Sequence, residues 1–248
     1  MSGGSREPGR SVTSRVLAIL SAFDGDHRRL TLTEIARRSG LALSTAHRLV
    51  AELEAGRALR RTSDGSFCVG PRLWELGQLA PGRLQRAAHP WLLELFSATG
   101  ENVHLAVRDG MEVLYLDKVY GRRAVPIVSR PGGRLPMHPT GVGRALLAYE
   151  QDWFIASYLS RTLERPTPHT VTEPGRLSRE LAAIRAQGYA LTYEEMTVGS
   201  CSAAAPILVE GHPVAAVGVV LSSHRSRELP RLVSPLLSTA RNIAAALA

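Results

Sequence analysis

Residues 30–61, LTLTEIARRSGLALSTAHRLVAELEAGRALRR, decide how this chain is read. Thr31 and Glu34 have the spacing of a capping box, in which each side chain satisfies an orphan backbone donor at a helix start. Leu32, Ile35 and Ala36 then supply one buried stripe. Gly40, between Ser39 and Leu41, allows a sharp turn at low steric cost. In the next helix Ala46, Leu49, Val50 and Leu53 recur at i, i+3, i+4 and i+7, an amphipathic period. That burial leaves Ser44, Thr45, His47 and Arg48 outside, near the helix start, where a recognition helix meets base edges and phosphates in a major groove.

The flanks extend the same unit. Val16, Ile19, Leu20 and Phe23 form a third helical stripe upstream. Downstream, Leu59–Thr62 and Ser66–Val69 are strand-like and flank Ser63-Asp64-Gly65; Asp-Gly in that setting is a hairpin signal. Three helices and a basic hairpin make a winged helix-turn-helix. Arg60, Arg61 and Ser66 on the wing are expected at phosphate or minor groove, with Arg10 and Arg15 adding backbone contacts. A small three-helix domain that binds protein is the alternative; outward residues that are polar and basic, not apolar, speak against it.

Composition points the same way. The 248 residues suffice for two ordinary domains. The formal charge of +8 favours a polyanionic partner. Residues 1–70 hold 11 arginines against 7 acids and the remainder 19 basic against 15 acidic residues, so each part carries +4, but the first is much shorter. Lys118 is the lone lysine. Cys68 and Cys201 are too few and too far apart for a disulfide framework or a zinc site. No run approaches the ~18 apolar residues of a membrane span. Nothing resembles a secretory leader, and a soluble, cytoplasmic protein with no membrane partner is expected.

The expected organisation is a loose polar tail at 1–10, the winged helix-turn-helix at 11–70, a linking helix at 71–83 and a second domain at 84–248. Leu73, Trp74 and Leu76 mark the linking helix, which Pro81-Gly82 stops; Trp74 reads as a packing anchor between domains or subunits. The second domain reads as α+β. Its expected elements are a helix around Trp91–Ala98, strands Val103–Val107 and Val113–Val119, a third apolar segment Ala124–Val128, and a helix Val142–Tyr149. A helix marked by Leu177, Leu181 and Ile184 follows, then strands Ser202–Leu208 and Val214–Leu221. A last helix buries Leu236, Leu237, Ala240, Ile243, Ala244 and Leu247. Helices flanking an antiparallel sheet leave a face able to hold a pocket.

Some residues invite a catalytic reading. His104, His138, Glu194, Glu195 and Cys201 match no metal-ligand spacing, and no nucleophile elbow of the G-x-S-x-G type is present. RPGGR lacks the Lys-Ser/Thr of a phosphate loop. The expectation is no catalytic residue, no metal and no cofactor, with His138 bonded to backbone, Glu194 and Glu195 holding a turn, and Cys201 buried and inert.

Five segments in order, LTLTEIARRSGLALSTAHRLVAELE, the hairpin with VGPRLWELG, LPMHPTGVGRALLA, IRAQGYALTYEE and CSAAAPILVEGHPVAAVGV, resemble the IclR family of bacterial transcription regulators. The resemblance implies a winged helix-turn-helix joined by a linking helix to a GAF-like effector-binding domain, acting as a homodimer or a dimer of dimers on a palindromic double-stranded DNA operator, more often as a repressor. It also implies a small-molecule effector and places its pocket at Gly141 and Val142, in the loop after the motif's histidine, and at Thr192, Ser202, Gly218 and Val220. The chain departs from the family pattern at several of these. Ser202 stands where a cysteine is common, Thr192 where an acid is common, and Gly218 and Val220 where two serines are common; Arg144 replaces a loop lysine and is expected to be structural. Loss of two hydroxyl donors predicts a roomier, less polar wall, and so an effector larger and less polar than a two- or three-carbon acid. The alternative is a ligand-sensing or protein-interaction module whose helix-turn-helix does not bind DNA.

Overall fold

The computed structural model describes residues 11–79, 82–121 and 128–247. The expected tail 1–10 with Arg10, Pro81 of the linker stop, and residues 124–127 of the third apolar segment lie outside the described residues. The chain divides into two units between Gly82 and Arg83.

The first unit is built on α1 (Val12–Ser21), α2 (Leu32–Ser39) and α3 (Leu43–Ala55), followed by the hairpin β1 (Leu59–Arg61) and β2 (Phe67–Val69) and by α4 (Pro71–Leu79). The capping box forms in full: Thr31 accepts from the Glu34 amide, and the Glu34 carboxylate accepts from the Thr31 amide and hydroxyl. Gly40 ends α2 in the left-handed region, φ 66°, where a side chain would be strained. Ile19, Leu30, Ile35, Leu49, Val50, Leu59 and Phe67 make one core. Leu30 bridges Phe67 through two backbone bonds of 3.0 and 2.7 Å, which ties the wing to the entry of α2. Asp24 ties α1 to α2, accepting from Arg38 at 2.7 Å; its bond from His27 holds its carboxyl down to about 2.

The second unit starts with α5 (Arg83–Thr99), β3 (Asn102–Asp109), β4 (Glu112–Val119), β5 (Arg134–Pro136) and α6 (Gly141–Leu147). It continues with α7 (Asp152–Leu159), α8 (Pro174–Gln187), β6 (Ala190–Tyr193), β7 (Ser200–Val209) and β8 (His212–Ser222), and a short 3-10 turn leads to α9 (Leu229–Leu247). The sheet order is β5-β4-β3-β8-β7-β6, antiparallel throughout. Alternation sorts side chains between its faces. Val103, Leu105, Ala203, Ala205, Val217 and Val219 join Leu92, Leu95, Leu236 and Ile243 of α5 and α9 in one core. On the other face Ala106, Ala204 and Ala216 meet α6, α7 and α8. Glu210 and Gly211 turn β7 into β8 with φ of 51° and 80°, a tight turn of the primed kind.

Several elements differ from expectation. The helix expected around Trp91 begins at Arg83 and runs through Pro90; buried Ala88 and half-buried Leu84 on the sheet hold the turns that a proline would otherwise disfavour. The run expected at Val142–Tyr149 starts at Gly141 and ends at Leu147. Strands β5 and β6 and helix α7 have no counterpart in the sequence reading. Leu237, Ala244 and Leu247 pack at the margin of their core and are half-buried, while Leu236, Ala240 and Ile243 are fully covered.

Gly70 is fixed by space. A Cβ there would stand 2.2 Å from the Arg57 carbonyl oxygen, a backbone atom that cannot yield. Gly70→Ala is therefore expected to cost about 1–3 kcal/mol, read as an earlier urea midpoint for the full chain.

Candidate nucleic-acid interface and ligand cavity

Helix α3 buries Ala46, Leu49 and Val50 and turns Ser44, His47 and Arg48 to solvent, with Thr45 half-buried. Its N-cap, Ala42, makes no side-chain cap, so the first-turn amides keep their hydrogens for an acceptor from outside. Arg48 donates from Nη1 to Oε1 of Glu52 at 2.9 Å across one turn of the exposed face. Sequence reasoning passed over Glu52; its i+4 spacing from Arg48 was the available signal.

The wing is held by its own polar groups. Asp64 accepts from the Thr62 hydroxyl and from the Ser66 amide at 3.0 Å, and these bonds lower its pKa. Ser66 is half-buried, and its carbonyl accepts from the Thr62 amide and hydroxyl, so it belongs to the turn more than to the wing's outer surface. Arg60 and Arg61 are both exposed but, as neighbours on a strand, point to opposite faces. Arg60 lies 3.8 Å from the Cys68 sulfur, whereas Arg61 sits 5.7 Å from the Phe67 ring centre. Arg15 on α1 is half-buried.

In the second unit a cavity of about 490 Å3, mouth included, opens where the start of α6 meets the sheet; Gly141, Val142, Thr192, Ser202 and Val220 all line it. His104, Tyr115, Ser129, Thr140, Glu195, Thr197 and Ser200 are among the polar residues of its wall, and Val128, Leu135, Pro139 and Met196 among the apolar ones. The hydroxyls of Thr192 and Ser202 are 2.6 Å apart and bond to each other. His104 is buried, which pushes it down to about 3, with nearby Lys118 acting in the same direction. It is therefore a neutral ring whose Nε2 lies 3.2 Å from the Ser129 hydroxyl and whose edge meets Tyr115. Burial raises the Tyr115 hydroxyl, keeping it protonated.

Gly218 departs from expectation. It is absent from the cavity wall, because a Cβ there would lie 2.8 Å from Cγ1 of Val142, which already fills the place a side chain would occupy. The two glycines of α6 are equally constrained, Gly141 by the sheet and Gly143 by the loop before the helix. A Cβ on Gly141 would stand 2.5 Å from the Ser202 hydroxyl, and one on Gly143 would stand 2.2 Å from the Met137 carbonyl oxygen.

A buried ion cluster backs the cavity. Arg144, fully covered, donates Nε to the His138 carbonyl at 2.5 Å, Nη1 to Glu180 at 2.7 Å and Nη2 to Glu195. Glu195 also accepts from the Val171 amide, and burial raises its pKa against the opposing pull of Arg144. His138 is buried; Nε2 lies 2.8 Å from the Glu164 carbonyl oxygen, which can only accept, so that nitrogen carries the proton and Nδ1 takes the Tyr158 hydroxyl at 2.9 Å. Glu194 accepts from the Gly199 amide at 2.7 Å and closes the turn between β6 and β7. Cys201 is buried, and its thiol is pushed up to about 11, away from reactivity. Among the described residues no group of three His, Cys, Asp or Glu side chains is placed to hold a metal ion, and no helix is long and apolar enough to cross a membrane.

Comparison with known proteins agrees over both units. Residues 12–63 match the IclR helix-turn-helix domain, and residues 79–245 match the C-terminal domain of bacterial transcriptional regulator IclR. The chain is 34% identical over 200 residues to the HTH-type transcriptional regulator XynR of Escherichia coli, covering 78% of each protein. It is 30% identical over 213 residues to the transcriptional repressor IclR of Escherichia coli, covering 83% of this chain and 78% of the repressor. The crystal structure of an IclR homolog from Microbacterium hydrocarbonoxydans, complexed with 4-hydroxybenzoate, superposes with a TM-score of 0.91 at 33% identity, over 96% of this chain and 99% of that one.

The ion cluster yields a signed test. Arg144→Met leaves Glu195 buried without its cation and is expected to cost about 3–5 kcal/mol of unfolding free energy. A raised folded pKa means that Glu195 favours the fold while protonated and loses that contribution as pH climbs through the folded value. Without Arg144 the loss deepens, so urea unfolding should show a larger deficit at about pH 8 than at about pH 5.

Proposed function

This chain belongs to the IclR family of bacterial DNA-binding transcriptional regulators, and we propose that within it the protein is a cytoplasmic, homo-oligomeric repressor, without enzymatic activity, whose hold on a palindromic operator is set by a small aromatic or similarly apolar effector. The observation that carries this reading is the exposed set Ser44, His47 and Arg48, with Thr45 at its edge, on a helix whose opposite face buries Ala46, Leu49 and Val50. Arg48 takes guanine through two bonds to O6 and N7. Ser44 and Thr45 bond base edges or phosphate, and His47 offers one donor and one acceptor while neutral. Arg60 and Arg61, on opposite faces of the wing, contact phosphate on one side and minor groove on the other; Ser66 sets the turn that carries them. Repression is the sign named for one of the relatives.

A palindrome requires two copies. Trp74 and Leu17 in the first unit are 68% and 58% exposed, apolar surface of the kind a second copy would cover. The effector site is the cavity between α6 and the sheet. Val220 in place of a hydroxyl favours a less polar ligand, the paired hydroxyls of Thr192 and Ser202 compete little for one, and the 4-hydroxybenzoate held by the Microbacterium hydrocarbonoxydans relative sets the scale of a ring. The effector shifts operator affinity to the extent that it prefers one arrangement of the protein.

Three measurements check this reading. In mobility-shift titrations Arg48→Ala should lose about 1–3 kcal/mol on the selected operator and relax the base preference at one position; unchanged affinity and preference would remove α3 from the interface. Arg60→Ala should weaken all sequences alike and reduce the salt slope by about 0.9. In thermal-shift assays the parent should be stabilised by 4-hydroxybenzoate or a similar ring and not by acetate, while Val220→Ser narrows that difference; strong stabilisation of the parent by acetate would contradict the apolar assignment.

A further inference from the structure

The sequence of α3, LSTAHRLVAELEA, carries one cation against two acids. A helix seated on DNA by charge would show the reverse balance, because each carboxylate turned to the duplex faces phosphates that repel it. Apart from Arg48, the exposed cations of this unit lie off α3: Arg28 and Arg29 before α2, Arg37 on α2, Arg57 after α3, Arg60 and Arg61 on the wing, and Arg72 on α4. Attraction to the backbone therefore comes from those positions. Helix α3 is left to discriminate.

On its outer face Ser44, Arg48 and Glu52 follow at i, i+4 and i+8, a single row of side chains. The Arg48–Glu52 pair is 61% and 60% exposed, so it contributes little to folding. Its consequence lies in what Arg48 can do next. If Arg48 leaves Glu52 for a phosphate, its fork still finds two acceptors, but the freed carboxylate is left facing a fixed negative charge. If it leaves for a guanine edge, it again finds two acceptors, O6 and N7, and these carry no formal charge to repel the carboxylate. The same acid thus taxes non-cognate contact more than cognate contact.

We propose that Glu52 is a specificity-determining residue: it restrains the Arg48 guanidinium in the free protein and yields it to guanine in preference to phosphate. The proposal rests on the assignment of α3 as the reading helix. Discrimination here comes as much from penalising wrong sequences as from rewarding the right one.

The test begins with selection of sites by the parent from randomised duplexes. The parent, Glu52→Gln, Glu52→Ala, Arg48→Ala and the double variant Arg48→Ala/Glu52→Ala are then titrated with the selected duplex and a random duplex at one salt concentration. Both Glu52 variants should bind the random duplex about tenfold more tightly and the selected duplex less than about threefold more tightly, so the specificity ratio falls. In the Arg48→Ala background, removing Glu52 should strengthen both duplexes equally and leave the ratio unmoved. A ratio that survives Glu52→Ala when Arg48 is present, or that falls as far when it is absent, overturns the proposal while leaving the reading helix in place. A parent that enriches no sequence overturns the assignment of α3 itself, before any Glu52 variant is examined. Both side chains are exposed, so the substitutions leave the core around Leu49 and Val50 intact.

Discussion

The second unit is organised by how closely one short helix approaches a sheet. Helix α6 starts against Ser202 and Ala204 of β7, with Val142 seated over β8. That approach is possible because positions 141 and 218 carry no side chain, while Gly143 leaves room for the Met137–Thr140 loop against the start of the helix. The rest of that face follows from it. Because α6 lies this low, Arg144 at its middle is sealed from water, and a sealed guanidinium requires partners on every side. It finds them in the His138 carbonyl, Glu180 of α8 and Glu195 of the loop after β6. The glycines set a distance, the distance buries a charge, and the charge recruits two loops and a helix into fixed positions around a cavity.

The wall of that cavity is less polar than its residue names suggest. Thr192 and Ser202 satisfy one another, His104 is neutral and directed at Ser129, and Glu195 is engaged by Arg144. A buried polar group already bonded imposes little demand on a ligand, since leaving it alone strands nothing. The wall can therefore lie against a ring without penalty and still offer one hydroxyl proton from the Thr192–Ser202 pair. In the first unit the same economy of partners shapes the wing, where Asp64, Thr62 and Ser66 bond among themselves and leave the flanking arginines unoccupied by the turn.

The first unit was legible almost residue by residue. Its signals are local: a capping box four residues long, a glycine after Ser39, and a 3.6-residue period through Ala46, Leu49 and Val50. The second unit was legible where strands alternate and where Gly188 and Gly211 punctuate, and opaque elsewhere. Helix α7, DWFIASYL, is apolar nearly all round and shows no face until Phe154 and Tyr158 are seen packed. Strand β6 is a four-residue edge, too short to show a period of its own and defined by its pairing with β7. The ends of α5 were hidden for a physical reason: Pro90 argues locally against a helix that distant contacts at Ala88 sustain. Of the pocket positions inferred by resemblance, five line the cavity and Gly218 does not. Single positions could not reveal that exception, because it is a property of a pair, one residue on β8 and one on α6.

Val142 and Gly218 share one volume, and this bears on how such a cavity diverges between descendants of a common ancestor. Enlarging position 218 alone drives a side chain into α6, while shrinking position 142 alone leaves a void beneath the helix. Neither step is neutral in isolation, although the two together exchange a hydroxyl-bearing wall for an aliphatic one at constant packing. Ligand preference at this site is therefore expected to change in paired jumps, with lineages holding one combination or the other and few intermediates between them.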